Sequence, residues 1–299
     1  MKFRKIVLLD DCGLVSPYKE KIYGLSQEKP DIYESHPEDN REIIRRIGDA
    51  DCVLVSWRTP VDAEVLRSVS SVKYVGMCCS LYDEASANVD IQAARAYGID
   101  VKGVRDYGDN GTVEFIFAEL IYLLKGLGKQ QWKNEPTELT GRTIGIIGMG
   151  VLGTMVAETA LCFGMKVLYY SWTRKPGLEK PGLEYADLDT LLSQSDIVTT
   201  HLPRNTVVIT AQNIGLMKQD AIYINTSLGQ PFETDPFLDW IGQNRGNYAI
   251  FDSAGYSTLA DVFRSYSNIR LFDKSSGFTS EAKVRLTRKV WENMTAFLG

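Results

Sequence analysis

The chain has 299 residues, a length that favours two domains of about 150 residues, each with room for a full apolar core. Hydrophobic residues make up 44% of it and charged residues 24%, and its mean hydropathy is -0.15; these are values of ordinary globular proteins and exclude disordered, collagen-like and coiled-coil classes. Lys and Arg number 33 against 38 Asp and Glu, a net charge of -5, which argues against a broad nucleic-acid or anionic-membrane surface.

The opening, MKFRKIVLLDD, is too short in apolar residues for a signal-peptide core and reads as a first strand. Short apolar runs then alternate with helical patterns: IVLL at 6–9, VLVS at 53–56, VDAEVLRSV, KYVGM and VDIQAARAYGIDV. Strands spaced by helices of this size imply a parallel sheet with right-handed crossovers. A longer apolar helix is expected over 111–127, and its apolar residues suit either a dimer face or a domain interior. The polar stretch KQQWKNEPTELTGR, with Pro136, reads as a connecting segment. From Thr143 the alternation restarts as TIGII, a helix, KVLYY, DLDTLLSQSD, IVTT, AIYIN, a helix around TDPFLDWIGQN, YAIFD and IRLF, a second α/β unit.

In the last segment Val284, Val290, Trp291, Met294, Phe297 and Leu298 recur at helical spacing, which predicts an amphipathic helix that must dock on a neighbour. The most apolar run, at 115–124, is interrupted by Glu119 and falls far short of the roughly 18 residues a membrane span needs. Cys12, Cys52, Cys78, Cys79 and Cys162 form no CxxC pair, so neither a disulfide framework nor a metal site is expected, and a reducing cytoplasm suits them.

Gly148-Met149-Gly150-Val151-Leu152-Gly153 directly follows the β-branched run at 143–147 and opens the helical pattern VLGTMVAETALCF. A strand, a tight turn, close backbone approach and a free helix N-terminus are what a dinucleotide pyrophosphate needs. The backbone of Met149 to Leu152 is expected to hold it, the three glycines permitting the approach. The next strand, KVLYY, should end in the acid that hydrogen-bonds the adenosine ribose. It ends instead in Ser171-Trp172-Thr173-Arg174-Lys175. An acid would repel a 2′-phosphate, whereas hydroxyls with Arg174 and Lys175 can hold one through charge-assisted hydrogen bonds. NADP(H) is therefore expected over NAD(H); the plainer alternative leaves Arg174 and Lys175 as solvated loop charges.

At this point the whole chain resembles the D-2-hydroxyacid dehydrogenases, including glyoxylate and hydroxypyruvate reductases. The similarity runs in order through DCVLVSWRTPVDAEVL, LTGRTIGIIGMGVLG, FGMKVLYYSWTRKP, DLDTLLSQSDIVTTHLP, IGLMKQDAIYINTSLG and TSEAKVRLTRKVWENMTAFL. The resemblance implies an α/β fold of two doubly wound parallel-sheet domains. One is a discontinuous substrate-binding domain over 1–101 and 283–299, the other a Rossmann dinucleotide-binding domain over 102–282. It also implies a cleft between them and a homodimer. By motif and resemblance together, His201, Pro203, Thr226 and Asp252 line the path to the nicotinamide, with Asp252 accepting from its carboxamide.

The family's catalysis uses an arginine for the substrate carboxylate, a glutamate, and a histidine acid/base whose pKa that glutamate raises. At the positions the resemblance assigns to them stand Leu228, Gly255 and Lys274. The family's carboxylate-binding loop keeps its ending here, Asn88-Val89-Asp90, but the preceding CCSLYDEASA has no glycine and carries Asp83 and Glu84, which would repel an anion. Losing a buried cation costs about 2 to 5 kcal/mol and losing a positioned general acid roughly 100- to 10,000-fold. Ordinary reduction of a 2-keto acid is therefore not expected.

On one reading the chain is an NADP(H)-dependent oxidoreductase acting on a neutral or cationic carbonyl compound, with Lys274 or Tyr256 as the acid and Arg58 as a candidate cation. On the other it is a catalytically silent NADP(H)-binding sensor or scaffold, its pocket filled by Leu228, Phe232 or Phe278. The expected partners are an unidentified small molecule and a second copy of the chain, with no nucleic acid and no membrane.

Overall fold

The computed structural model describes residues 1–204 and 206–299. In chain order the strands are β1 (Ile6–Leu8), β2 (Asp31–Ile32), β3 (Cys52–Val55), β4 (Tyr74–Ser80), β5 (Asp100–Val104), β6 (Thr143–Ile147), β7 (Lys166–Tyr170), β8 (Leu183–Tyr185), β9 (Ile197–Thr200), β10 (Ile222–Asn225), β11 (Tyr248–Asp252) and β12 (Ile269–Phe272). The α-helices are α1 (Tyr18–Tyr23), α2 (Asn40–Ile47), α3 (Ala63–Ser68), α4 (Ile91–Ala96), α5 (Asp109–Lys125), α6 (Val151–Cys162), α7 (Leu188–Gln194), α8 (Thr234–Gln243), α9 (Ser253–Tyr256), α10 (Ala260–Phe263) and α11 (Ser280–Leu298).

The chain divides into two compact units, residues 1–107 with 279–299, and residues 108–278. The divisions expected at 101/102 and 282/283 would cut β5 and α11. A strand stays with its ladder and a helix with its face, so the units part at the flanking loops instead. The stretch read as a connecting segment lies inside the second unit. Its polar composition hides an anchor: Trp132 is buried in that unit's core, its indole N–H donating to the Asp220 carbonyl at 2.6 Å, while Lys133 pairs with the Asp220 carboxylate at 2.6 Å.

In the first unit five parallel strands run in the order β2-β1-β3-β4-β5. Every residue of β1 and β3 is buried, as expected of strands covered on both faces. One face packs Val7, Leu9, Val53 and Val75 against Ile43, Ile47 and Val65 of α2 and α3. The other packs Phe3, Ile6, Leu8 and Tyr74 against Leu286, Val290 and Met294 of α11. Phe297 closes that face, 5.6 Å from the Phe3 ring and 5.0 Å from Tyr74. The C-terminal helix thus docks on the N-terminal unit. Val284, expected in its apolar stripe, is exposed, and Ala282 and Leu286 are buried.

The second unit is a seven-stranded parallel sheet in the order β12-β11-β10-β9-β6-β7-β8. On one face α5 spends Val113, Ile116, Phe117, Leu120, Leu123 and Leu124 in the core with Ile144 and Ile146. On the other, Tyr223, Phe232, Phe237, Phe251 and Phe263 form an aromatic cluster, Phe232 stacking on Phe237 at 4.2 Å. Phe232 is therefore a core ring, not a pocket filler. Among the described residues no helix is long and apolar enough to cross a membrane.

Candidate dinucleotide and catalytic site

Strand register builds the site of the second unit. Ile147 pairs with Tyr170 and with Thr200, Thr200 with Asn225, and Asn225 with Phe251. The residues one step further, Ser171, Gly148, His201, Thr226 and Asp252, therefore lie in one row along the carboxyl edge of β7-β6-β9-β10-β11. Strand order reverses at β6/β9, and α/β sheets bind ligands in the crevice outside the strand ends at such a switch. Five residues singled out from the sequence are brought into this one row.

The three glycines have different reasons to be glycine. Gly148 has φ +103°, and a Cβ there would lie 2.2 Å from the His201 carbonyl oxygen; a Cβ at Gly153 would lie 2.1 Å from the Gly148 oxygen. Those two serve the fold, letting α6 close on β6. Gly150 has φ -83°, and a Cβ there would meet nothing within 4 Å. The chain itself leaves that space open. Gly150 is the N-cap of α6 and makes no side-chain cap, and no acid sits in the first turn. The free N–H groups at Val151, Leu152 and Gly153 suit an anion. Met149 is buried, whereas Val151 is exposed. This cradle fits a dinucleotide pyrophosphate.

Two of the four buried polar side-chain atoms without a partner among the described residues lie in the same row, His201 Nδ1 and Thr226 Oγ1. The His201 Nε2 sits 3.2 Å from Thr199 Oγ1, and burial pushes the imidazole pKa down to about 3, so the ring is neutral near pH 7 and is not a general acid. Pro203 is exposed. Asp252 is almost fully buried, and both its oxygens are engaged. Oδ1 accepts from Gly255 N at 2.9 Å, and Oδ2 accepts from Ser276 N at 2.8 Å and Ser276 Oγ at 2.7 Å. Burial raises the pKa of Asp252 and these bonds oppose the rise.

Sequence reasoning passed over the residue that holds the neighbouring loops. Asn225 Oδ1 accepts from Thr200 Oγ1 and Ser227 N, both at 2.9 Å, and its Nδ2 donates to Gly229 O at 2.8 Å and Gly255 O at 3.0 Å. Ser227 Oγ then donates to Thr200 O at 2.9 Å and accepts from Leu202 N at 3.0 Å. The available signal was a polar residue closing an otherwise apolar buried strand.

Beyond β7, Ser171 is half-buried, whereas Trp172, Thr173, Arg174 and Lys175 are exposed, Trp172 almost wholly. The Arg174 guanidinium is forked onto Glu179, Nε to Oε1 and Nη2 to Oε2, both at 2.7 Å. It is therefore not simply a solvated charge.

The family model described as "D-isomer specific 2-hydroxyacid dehydrogenase, NAD binding domain" matches residues 118–269. A hydroxypyruvate reductase of Blautia hydrogenotrophica is 33% identical over 226 residues, 69% of each chain. The chain belongs to the D-isomer-specific 2-hydroxyacid dehydrogenase family. A glyoxylate reductase of Korarchaeum cryptofilum is 29% identical over 87% of this chain and 83% of its own. Among solved structures, the TT0316 protein of Thermus thermophilus superposes with a TM-score of 0.83 at 22% identity, over 98% of this chain and 96% of its own. An acyclic imino acid reductase in complex with NADPH and D-Arg gives 0.81 at 24% identity, over 98% and 97%. The fold of this family member is thus two parallel-sheet α/β units, the second of them matching the NAD-binding domain of the family.

Lys274 is exposed, and its backbone carbonyl accepts from Ser253 N at 3.3 Å. Tyr256 is buried, with its hydroxyl donating to Asp273 Oδ1 at 3.3 Å; burial first and the Asp273 charge second raise its pKa. Leu228 and Phe278 are exposed. In the first unit Asp83 caps a short 3-10 helix, accepting from Ser86 N at 2.8 Å, and Glu84 pairs with Arg95 at 2.6 Å. Asn88 donates to Ser56 O and Thr59 O, and Arg58 lies 5.5 Å over the Trp57 ring.

A polar cluster in the first unit was also unread. Buried Asp10 accepts from Ser56 N at 2.9 Å, and from Ser56 Oγ and Thr59 Oγ1 at 2.6 Å each. Since the Thr59 proton goes to Asp10, Thr59 Oγ1 must accept from His36 Nδ1, 3.1 Å away. The His36 Nδ1 therefore carries the hydrogen that faces Thr59. Order β2-β1-β3 puts this cluster at the strand-order switch of its own sheet.

Proposed function

We propose that this family member binds NADP(H) in preference to NAD(H) and acts as an oxidoreductase on a carbonyl or CH–OH group of a neutral or cationic compound, not as an ordinary reductase of 2-keto acids. Gly255 carries the proposal. A Cβ at Gly255 would lie 2.2 Å from the Asn225 carbonyl oxygen, so a glutamate has no room in this backbone. Leu228 offers no charge to a carboxylate, and Lys274 puts an ammonium in place of an imidazole. A cavity of about 500 Å³ beside the Asn88 loop is lined among the described residues by Asp62, Asp90 and the Arg95-paired Glu84, which supports a neutral or cationic group over an anion at that loop.

A bound nicotinamide supplies or accepts a hydride; the chain must hold it and move a proton. Its backbone at Met149 to Leu152 suits the pyrophosphate, and His201 and Thr226 have polar atoms to spare at the same edge. Lys274, with its exposed ammonium, and Tyr256, kept protonated by burial, are the candidate proton donors. One observation favours a catalytically silent NADP(H)-binding sensor or scaffold instead: the Tyr256 hydroxyl is already spent on Asp273.

Calorimetric titration with NADPH and NADH tests the cofactor assignment, and NADPH consumption with neutral and cationic aldehydes and ketones tests the activity. Tight NADPH and weak NADH binding are expected; equal affinities would remove the preference, and turnover of a 2-keto acid at ordinary rates would remove the substrate class. We further propose that the protein is cytoplasmic, to be checked by fractionation, and a homodimer, to be checked by sedimentation.

A further inference from the structure

We infer that Tyr169 and Glu179 are positioning residues that aim Arg174 and Lys175 at a 2′-phosphate; this rests on the NADP(H) preference proposed above. The Arg174 guanidinium gives Nε and one Nη2 proton to Glu179. That leaves the Nη1 and outer Nη2 protons as a second parallel edge, the spacing that grips two oxygens of a phosphate. The Tyr185 ring lies 5.3 Å from the guanidinium carbon, so one edge and one face of the group are fixed.

The anchor of this arrangement is the sheet itself. Tyr169 is wholly buried in β7. Its hydroxyl donates to Glu179 Oε1 at 3.0 Å and accepts the backbone N–H of Lys175 at 2.8 Å. One buried hydroxyl thus ties down both the carboxylate that orients Arg174 and the backbone that carries Lys175. Among the described residues, the Lys175 ammonium and the Ser171 and Thr173 hydroxyls have no hydrogen bond or ion pair. The loop therefore holds one oriented cation, one free cation and two free hydroxyls within five residues, beside the row that ends at Ser171. Orienting a long side chain beforehand removes part of the ordering cost of binding.

Glu179 also carries a charge that repels phosphate, so the test uses variants that keep it. NADPH and NADH dissociation constants are measured by calorimetry for the wild type, Tyr169→Phe, Glu179→Asp and Arg174→Ala, with thermal unfolding to confirm that each is folded. The wild type is expected to prefer NADPH. Arg174→Ala should weaken NADPH about 10- to 100-fold, the loss of one or two charge-assisted hydrogen bonds, and spare NADH. Tyr169→Phe and Glu179→Asp should each weaken NADPH about 3- to 10-fold, the cost of ordering one freed side chain, again sparing NADH. If Tyr169→Phe does not fold, Glu179→Asp decides. Wild-type selectivity in both charge-preserving variants, with Arg174→Ala defective, overturns the positioning roles and leaves the preference standing. Equal weakening of both cofactors also overturns them. Equal wild-type affinities overturn the preference, and the inference with it.

Discussion

Alanine placed at each glycine of the Gly148 to Gly153 turn separates fold from binding. At Gly148 the backbone has φ +103° and the new Cβ would sit 2.2 Å from the His201 oxygen. Left-handed strain costs about 1–2 kcal/mol and forcing the neighbouring strand end aside about 1–3 kcal/mol, together about 2–5 kcal/mol. In a unit of this size that lowers Tm by roughly 4–20 °C. Gly153→Ala should behave alike, since its Cβ would meet the Gly148 oxygen at 2.1 Å. Gly150→Ala should differ. Its φ of -83° suits any residue and its Cβ meets nothing, so the loss of a small N-cap and the gain from a stiffer unfolded chain stay within about 1 kcal/mol. Yet on the proposed binding mode the methyl stands where the pyrophosphate meets the first N–H groups of α6. Losing two charge-assisted hydrogen bonds at about 1.5–3 kcal/mol each weakens NADPH by about 100-fold or more, and Gly150→Val should abolish binding. Scanning calorimetry and NADPH titration on the same preparations read both quantities. A Gly150→Ala protein that binds NADPH like the wild type, or that melts as early as Gly148→Ala, would refute the division of labour.

The remaining predictions concern neighbouring positions. His201 has its pKa lowered to about 3 from 6.5, so its stabilising contribution is complete above pH 6.5 and shrinks by about 1.4 kcal/mol per unit as pH falls from there toward 3. Its ring proton resonances should not move between pH 5 and 8, and an NMR midpoint near 6.5 would contradict the burial. Gly255→Glu should destabilise the second unit by about 3 kcal/mol or more, from overpacking on Asn225 and a buried charge; a wild-type Tm would show that the backbone yields there. Trp172 is 96% exposed in the loop proposed to meet the ribose, so NADPH should change tryptophan fluorescence in the wild type, with a smaller change in Trp172→Phe; equal changes would place that indole outside the bound cofactor.

The alternation of apolar runs and helical patterns made both sheets legible, because strands covered on both faces must be continuous in apolar residues. The cofactor turn was equally legible, being a matter of backbone shape that only certain glycines allow. What the sequence hid was carried by single side chains acting at a distance along the chain. Trp132 turns a polar stretch into part of a core, Asn225 joins four groups from β9, α9 and the loop after β10, and Asp10 orients Thr59 toward His36. None of these has a spacing rule, since each partner is chosen by the fold. Asp252 illustrates the same limit from the other side: the resemblance assigns it to accept from a carboxamide, and the sequence does not show that Gly255 and Ser276 already engage both its oxygens.

The two halves of the second unit's site also differ in how readily they could change. A pyrophosphate cradle is made of peptide N–H groups and an empty volume, so nearly any side chains can surround it and still leave it working. Acid/base chemistry needs particular groups at particular atoms, and at the place the resemblance assigns to the glutamate the backbone leaves no room: Gly255 approaches Asn225 so nearly that no Cβ fits, and Asn225 uses the Gly255 carbonyl as one of its four partners. Restoring a glutamate would therefore require moving the loop that carries Leu228 as well, because Asn225 also holds Gly229. Asn225 joins the loop after Leu228 to Gly255, so on the proposed reading the departures at Leu228 and Gly255 form a single rearrangement of the loop edge, not two independent losses. On the proposed reading, Leu228→Arg or Gly255→Glu alone is expected to give no 2-keto acid reduction while NADPH titration still reads binding; turnover of a 2-keto acid by either variant would refute the coupling.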